Sequence, residues 1–204
     1  MTARDATDLF SEWALDNKDK GMESGHAKSV NEMLNIAIPM LAGTFSAIDV
    51  GCGNGWLCRK LQTIDNCNKV VGVDGAIEMI NKAKQNNTGE FYLGKLPGWK
   101  PPQKFDLIHS MEFLYYLKEP LEMLKSFSNE WMNDKGVIIV GVDHYLENAK
   151  SHDWPESLNV HMTTLSEEQW KRGMVDAGLI DVETRRVGMR PGFVGTLAIF
   201  GRKP

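Results

Sequence analysis

The sequence predicts an α/β fold: a mostly parallel seven-stranded sheet, covered by helices on both faces, that ends in a C-terminal antiparallel β-hairpin. Three observations predict it. From Phe45 onwards, short apolar runs alternate with segments of helical period. GVIIVGV (136–142) is apolar throughout, as a strand buried on both faces requires. The chain closes with two strand-like runs, DVETRRVG and FVGTLAIFG, separated by a turn containing Pro191 and Gly192. Repeated strand–helix units give parallel sheets with helices on either side, so the prediction is a Rossmann-like α/β/α sandwich.

The elements follow in order. Helices are expected over about 5–17 and 24–41; the second places Val30, Met33, Leu34, Ala37 and Leu41 at helical spacing. NKDKGMESG (17–25) between them reads as a polar, glycine-punctuated link. FSAIDV (45–50) is a short buried strand, NGWLCRKLQTI (54–64) a helix, KVVGVD (69–74) a second strand, AIEMINKAKQN (76–86) a second helix and EFYL (90–93) a third strand. Prolines and glycines keep KLPGWKPPQ (95–103) irregular. FDLIHSM (105–111) is the fourth strand, and Pro120 suits the first turn of a helix reaching about Met132. After the fifth strand, residues 143–164 show no period and hold three of the five histidines. Ser166 and Gln169 then form a capping-box pattern before a helix ending near Gly178.

The 204 residues fit one domain. It divides into a helical cap (1–43), a core (44–142), a loop on the substrate side (143–165) and a closing helix and hairpin (166–204). A net charge of −4 argues against a phosphate-backbone partner, and Lys95, Lys100 and Lys104 read as a solvated surface. Cys52, Cys58 and Cys67 show neither zinc spacing nor a disulfide framework, so no metal is expected and a reducing environment is implied. The N-terminal stretch lacks a secretory apolar core and no run is long enough to span a bilayer, which predicts a cytoplasmic protein with no membrane partner.

AIDVGCGNGW (47–56) carries the chemistry. Gly51, Gly53 and Gly55 let the backbone turn sharply and let a ligand lie against it. A dinucleotide turn would need a third glycine at position 56, where Trp56 stands, and no phosphate-cradling G-x-x-x-x-G-K-[ST] occurs. Asp74 ends the second strand about 20 residues on, where a carboxylate can hold an adenosine ribose. The other reading is a cap for the following helix; the ribose role is favoured because it falls in register with the glycine turn.

IDVGCGNG, VVGVDGA, FDLIHSMEFLYYL and GTLAIFGRK together resemble the class I S-adenosylmethionine-dependent methyltransferases over about residues 45–203. More narrowly, GMESGH (21–26), SME (110–112) and SHDWPE (151–156) are similar to small bacterial and archaeal members of the methyltransferase domain 11 type. The resemblance implies S-adenosylmethionine as cofactor. Asp49 and the turn Gly51, Cys52, Gly53, Asn54 and Gly55 would hold its methionine moiety, and Asp74 its ribose. Gly75 and Ala76 would lie against the adenine, with Ser110 and Met111 near the methionyl end. Many relatives place an Asp after the third strand to bind adenine; YLGKLPGW offers Gly94 and Lys95 instead.

Methyl transfer is an in-line displacement that needs positioning and, for a protonated acceptor, a base. The candidates are His26 with Glu23, then Glu112, Tyr115 and Tyr116 after the fourth strand, then Asp143, His144 and His152 in the loop after the fifth. That loop reads as a substrate lid. Trp13, Trp56, Trp131 and Trp170 fit packed helices, whereas Trp99 and Trp154 lie in loops. A small-molecule methyl acceptor is the leading expectation. The alternatives are a protein or RNA acceptor, an NAD-dependent oxidoreductase, and a cofactor-binding module without catalysis.

Overall fold

The computed structural model describes residues 3–85 and 89–204. Helices α1 (Ala6–Leu15) and α2 (Asp19–Ala37) precede β1 (Phe45–Val50), α3 (Trp56–Gln62), β2 (Cys67–Asp74), α4 (Ile77–Gln85), β3 (Glu90–Leu93) and β4 (Phe105–Met111). There follow α5 (Pro120–Ser126), β5 (Met132–Val142), α6 (Trp154–Leu158), α7 (Glu167–Asp176), β6 (Ile180–Val187) and β7 (Thr196–Arg202). The seven strands form one sheet in the order β3-β2-β1-β4-β5-β7-β6. β1 to β5 are parallel, while β7 runs antiparallel to both β5 and β6. The expected mixed sheet with its terminal hairpin is what forms.

Strand alternation sends successive side chains to opposite faces. Ile48, Val50, Ile108, Ile138 and Val140 pack beneath α5 and α7 with Trp131 and Trp170. Ala47, Leu107, Val137 and Ile139 pack beneath α2 and α3. Both clusters consist of buried residues, so the central strands are covered on both sides. The four helical tryptophans all pack with core clusters, Trp131 and Trp170 being fully buried.

Three expectations change. Residues 17–25 contain the start of α2, which begins at Asp19 rather than Ser24, so GMESGH lies inside a helix. The cause is tertiary: buried Asp19 is held by Lys82 of α4 at 2.7 Å and by Asn54 at 2.8 Å. The helix expected to reach Met132 is α5 plus one wide turn, Phe127–Trp131, after which β5 starts at Met132. Residues 143–165 are folded, with a single turn at Ala149–Ser151 and α6. The strap is fixed by Thr163, whose N–H and hydroxyl donate to the carbonyls of Tyr115 and Leu117, each at 2.7 Å. The expected second helix over 76–86 is seen as α4 over Ile77–Gln85, and Asn86 lies outside the described residues.

Packing around the turn after β1 is tight. At Gly55, φ is +77°, and an added Cβ would meet the Phe91 ring at 2.8 Å. Gly55→Ala should therefore lower stability by about 1–3 kcal/mol, measured by chemical denaturation.

Candidate functional site

The parallel strands end along one edge of the sheet, and a cavity opens there, in the position where such sheets bind ligands. Its floor is the turn after β1. The Val73 carbonyl accepts from the N–H groups of Gly51 and Cys52 at 2.9 and 3.0 Å, fixing the turn against β2. Gly53 has φ +52°, and a Cβ there would meet nothing nearer than the Met79 sulfur at 3.9 Å. The turn thus leaves open space above it. Asp74 spans the turn and the next helix: one oxygen accepts from Gly53 N at 2.9 Å and the other from Ala76 N at 2.7 Å. The helix-capping contact is thus present alongside a tie to the glycine turn. Burial pushes the Asp74 carboxyl up, against the pull of those two N–H donors.

Beside the turn, β1 and β4 put Asp49 and His109 in register. His109 Nδ1 lies 2.9 Å from an Asp49 oxygen, while Nε2 is buried with no hydrogen-bond partner among the described residues. Both residues line the cavity. Its roof is α1 and α2, which contribute Thr7, Phe10, Asp19, Met22, His26 and Val30. Asn54 joins roof to floor: its side-chain amide donates to Asp19, and its oxygen accepts from Trp56 N at 3.1 Å. Lys95 pairs with Asp5, linking the segment after β3 to the start of α1.

The far end holds Met111, Glu112, Phe113, Tyr116 and Leu117, all from the end of β4. Glu112 takes the left-handed conformation, φ 55°, which costs a non-glycine residue about 1–2 kcal/mol. One of its oxygens accepts from Asp143 N and the other from the Tyr115 hydroxyl at 2.8 Å. Burial, then the Asp143 carboxylate, push Glu112 well above the usual carboxylate range. Burial likewise raises Asp143 and lowers His26, and these two lie 3.9 Å apart.

This geometry has known counterparts. The Methyltransf_23 family, a methyltransferase domain, matches residues 3–184. The chain belongs to that methyltransferase family. A Haloferax volcanii protein described as a methyltransferase, solved in complex with the Trm112 methyltransferase activator, is 25% identical over 100% of both chains, with a TM-score of 0.84. The NodS N-methyltransferase of Bradyrhizobium japonicum, in complex with S-adenosyl-L-homocysteine, shares the fold at 16% identity and TM-score 0.67, covering 88% of each chain. Trans-aconitate 2-methyltransferase of Agrobacterium fabrum is 26% identical over 141 residues, 68% of this chain and 52% of that protein. The chain thus spans about half the length of that curated relative. S-adenosylmethionine is the cofactor of the family.

Within this methyltransferase domain, the predicted residues separate by position. Asp49, Gly51, Cys52, Gly53, Asn54, Asp74, Gly75 and Met111 line the cavity, as do His26, Glu112 and Tyr116. Gly55, Ala76 and Ser110 lie behind its wall; the Ser110 hydroxyl donates to the Val50 carbonyl at 2.9 Å. His144 is not at the cavity, because both ring nitrogens are used inside the strap, on the Ser151 carbonyl and the Thr164 hydroxyl. His152 bonds the Leu146 carbonyl at an exposed position. Glu23 faces Arg59 at 3.7 Å, away from the cavity. Trp99 packs on Gly94, Tyr92 and Trp131, and Trp154 packs against the core near His144. His109 is the residue that sequence reasoning missed. The available signal was a histidine in an apolar strand, two residues before its carboxyl end.

The roof-to-floor tie has a pH signature. Burial raises the Asp19 carboxyl, but the Lys82 and Asn54 hydrogen bonds outweigh it, leaving it below the ordinary value. A depressed carboxyl stabilises the fold above its unfolded pKa of about 4, and that contribution is lost as pH falls through the folded value. Asp19→Asn should therefore cost about 1–3 kcal/mol at pH 7, with the difference from wild type shrinking below about pH 4 in denaturation curves.

Proposed function

We propose that this methyltransferase domain moves a methyl group from S-adenosylmethionine to a small-molecule acceptor by in-line displacement. The observation that carries this reading is the continuity of one cavity from Asp74 to Glu112. A carboxylate able to take a ribose stands at one end, and a mixed acidic and aromatic wall at the other. Asp74 would receive the ribose hydroxyls, with Gly75, Gly94 and Lys95 around the adenine. Asp49, His109 and the glycine turn would hold the methionine moiety. His109 suits that role because its unpartnered Nε2 can exchange a hydrogen bond with the cofactor's amino or carboxylate group.

When bound, S-adenosylmethionine supplies a methyl carbon already activated by its sulfonium. The chain's residues align the acceptor and exclude water. Phe10, Phe113, Tyr116 and Leu117 make the apolar wall, Phe10 standing edge-on to Tyr116 at 5.3 Å. His26 is the base, since burial favours its neutral form. A nucleic-acid acceptor is disfavoured by the net charge of −4. No helix among the described residues is long and apolar enough to cross a membrane.

The full-length likeness to the Haloferax volcanii protein supports a second reading, in which this chain also works with an activator subunit of the Trm112 kind. Co-expression with such a subunit tests it: a stable complex with raised methyl transfer supports the reading, and independent elution rejects it.

Thermal shift tests the cofactor assignment. S-adenosylmethionine and S-adenosylhomocysteine at about 100 times Kd should raise Tm by roughly 5–10 °C, and NAD or ATP should not. Asp74→Ala and His109→Ala should each weaken S-adenosylhomocysteine binding at least about tenfold in calorimetry. Stabilisation by NAD alone would overturn the assignment.

A further inference from the structure

At the far end of the cavity, Glu112 and His26 line the wall, and Asp143 lies just behind them. Glu112 and Asp143 come from the ends of adjacent parallel strands, β4 and β5, and His26 descends from α2. One side-chain atom from each of the three lies within 4.8 Å of the others. Asp143 is 6% exposed; the nearby Thr196 hydroxyl and His26 favour its charge, but its Oδ1 has no hydrogen-bond partner among the described residues. An unpaired buried carboxylate oxygen costs folding free energy, and two carboxylates in contact repel. Arg190 is near enough to lower the Asp143 carboxyl, but its guanidinium is stacked 4.6 Å over the Phe193 ring. Among the described residues no lysine or arginine forms an ion pair with either carboxylate; His26 is the one basic group paired there, at 3.9 Å from Asp143.

The surroundings of these three side chains narrow the kind of cation. Tyr116, Phe113 and Phe10 stand at the same end of the cavity, and ring faces attract organic cations. Leu117, Met22 and Val30 offer apolar contact to whatever body the charge belongs to. A bare metal ion would gain nothing from these rings and aliphatic side chains.

We propose that the cup of Glu112, Asp143 and His26 binds the reacting nitrogen of a small amine that carries an apolar body, making this domain an amine N-methyltransferase. The proposal rests on the small-molecule methyltransferase reading above and names its acceptor. The carboxylates hold the acceptor as an ammonium, and one proton passes to His26. The freed lone pair forms the new N–C bond, the C–S electron pair returns to sulfur, and the methylated product leaves as an ammonium. Glu112 is held in its left-handed conformation so that its carboxylate faces the nitrogen, with the Tyr115 hydroxyl and the Asp143 N–H fixing its orientation.

Binding, read apart from turnover, tests this. With S-adenosylhomocysteine saturating, thermal shift is run on primary amines from butylamine to 2-phenylethylamine, against alcohols and carboxylates of the same skeleton. Amines should raise Tm by at least about 2 °C, and the matched alcohols and carboxylates should not. Glu112→Gln and Asp143→Asn should each abolish the amine shift while leaving S-adenosylhomocysteine affinity within about threefold, and Glu112→Gln should slow labelled methyl transfer to a binding amine by about 100-fold. Two variants are used because Asp143 is buried; the ligand-free Tm of each reports whether it folds. Alcohols or carboxylates binding as well as amines, or no amine binding, would overturn the proposal. So would a shift given by Mn²⁺ or Mg²⁺ alone and lost in Glu112→Gln, which would make the cup a metal site. Failure of S-adenosylhomocysteine itself to stabilise the protein is seen before any amine is added, and it removes the underlying methyltransferase reading instead.

Discussion

The site depends on one backbone constraint: three left-handed residues within five positions after β1. Gly51, Gly53 and Gly55 have φ of 77°, 52° and 77°. An L-residue with a Cβ is strained there, so glycine lets the chain reverse direction at the sheet edge at the least cost. The reversal points the turn's N–H groups at β2, where the Val73 carbonyl and the Asp74 carboxylate accept them. It also leaves the upper face of Gly53 bare. A steric rule thus becomes a ligand-sized space with a carboxylate at its rim.

The acids around that space are treated in two opposite ways. Asp19 and Asp49 each have a partner, Lys82 with Asn54 in one case and His109 in the other, and both fasten pieces of the fold together. Glu112 and Asp143 are instead placed near each other, with burial opposing the charge of both and the Asp143 carboxylate further opposing that of Glu112. Paired acids tie the roof to the floor. Of the other pair, Glu112 lines the cavity and Asp143 stands just behind it.

Much of the architecture was legible because its signals are local. Apolar runs such as GVIIVGV and FSAIDV, the Ser166–Gln169 capping box and the terminal turn each act over a few residues. What was illegible depends on contacts distant in sequence. Residues 19–25 are helical although they hold two glycines, because Asp19 is anchored by residues 35 and 63 positions away. His109 looked like a strand interior residue until β1 and β4 were paired, which set it opposite Asp49. The histidines of the strap misled in the opposite direction. Residue type suggested chemistry, but the partners of His144 are spent inside its own loop.

Glu112 joins these strands of argument. It is a non-glycine residue held at positive φ, its carboxyl is buried beside another, and it lines the cavity. The first two properties cost stability, the backbone strain alone about 1–2 kcal/mol. A side chain serving only to fill space would avoid both, since glycine or asparagine accepts that conformation more readily. Two independent costs at one cavity-lining residue are hard to reconcile with packing. They are the pattern of a position where the fold gives up stability to aim a charged group, and the end of β4 is where this cavity has a use for one.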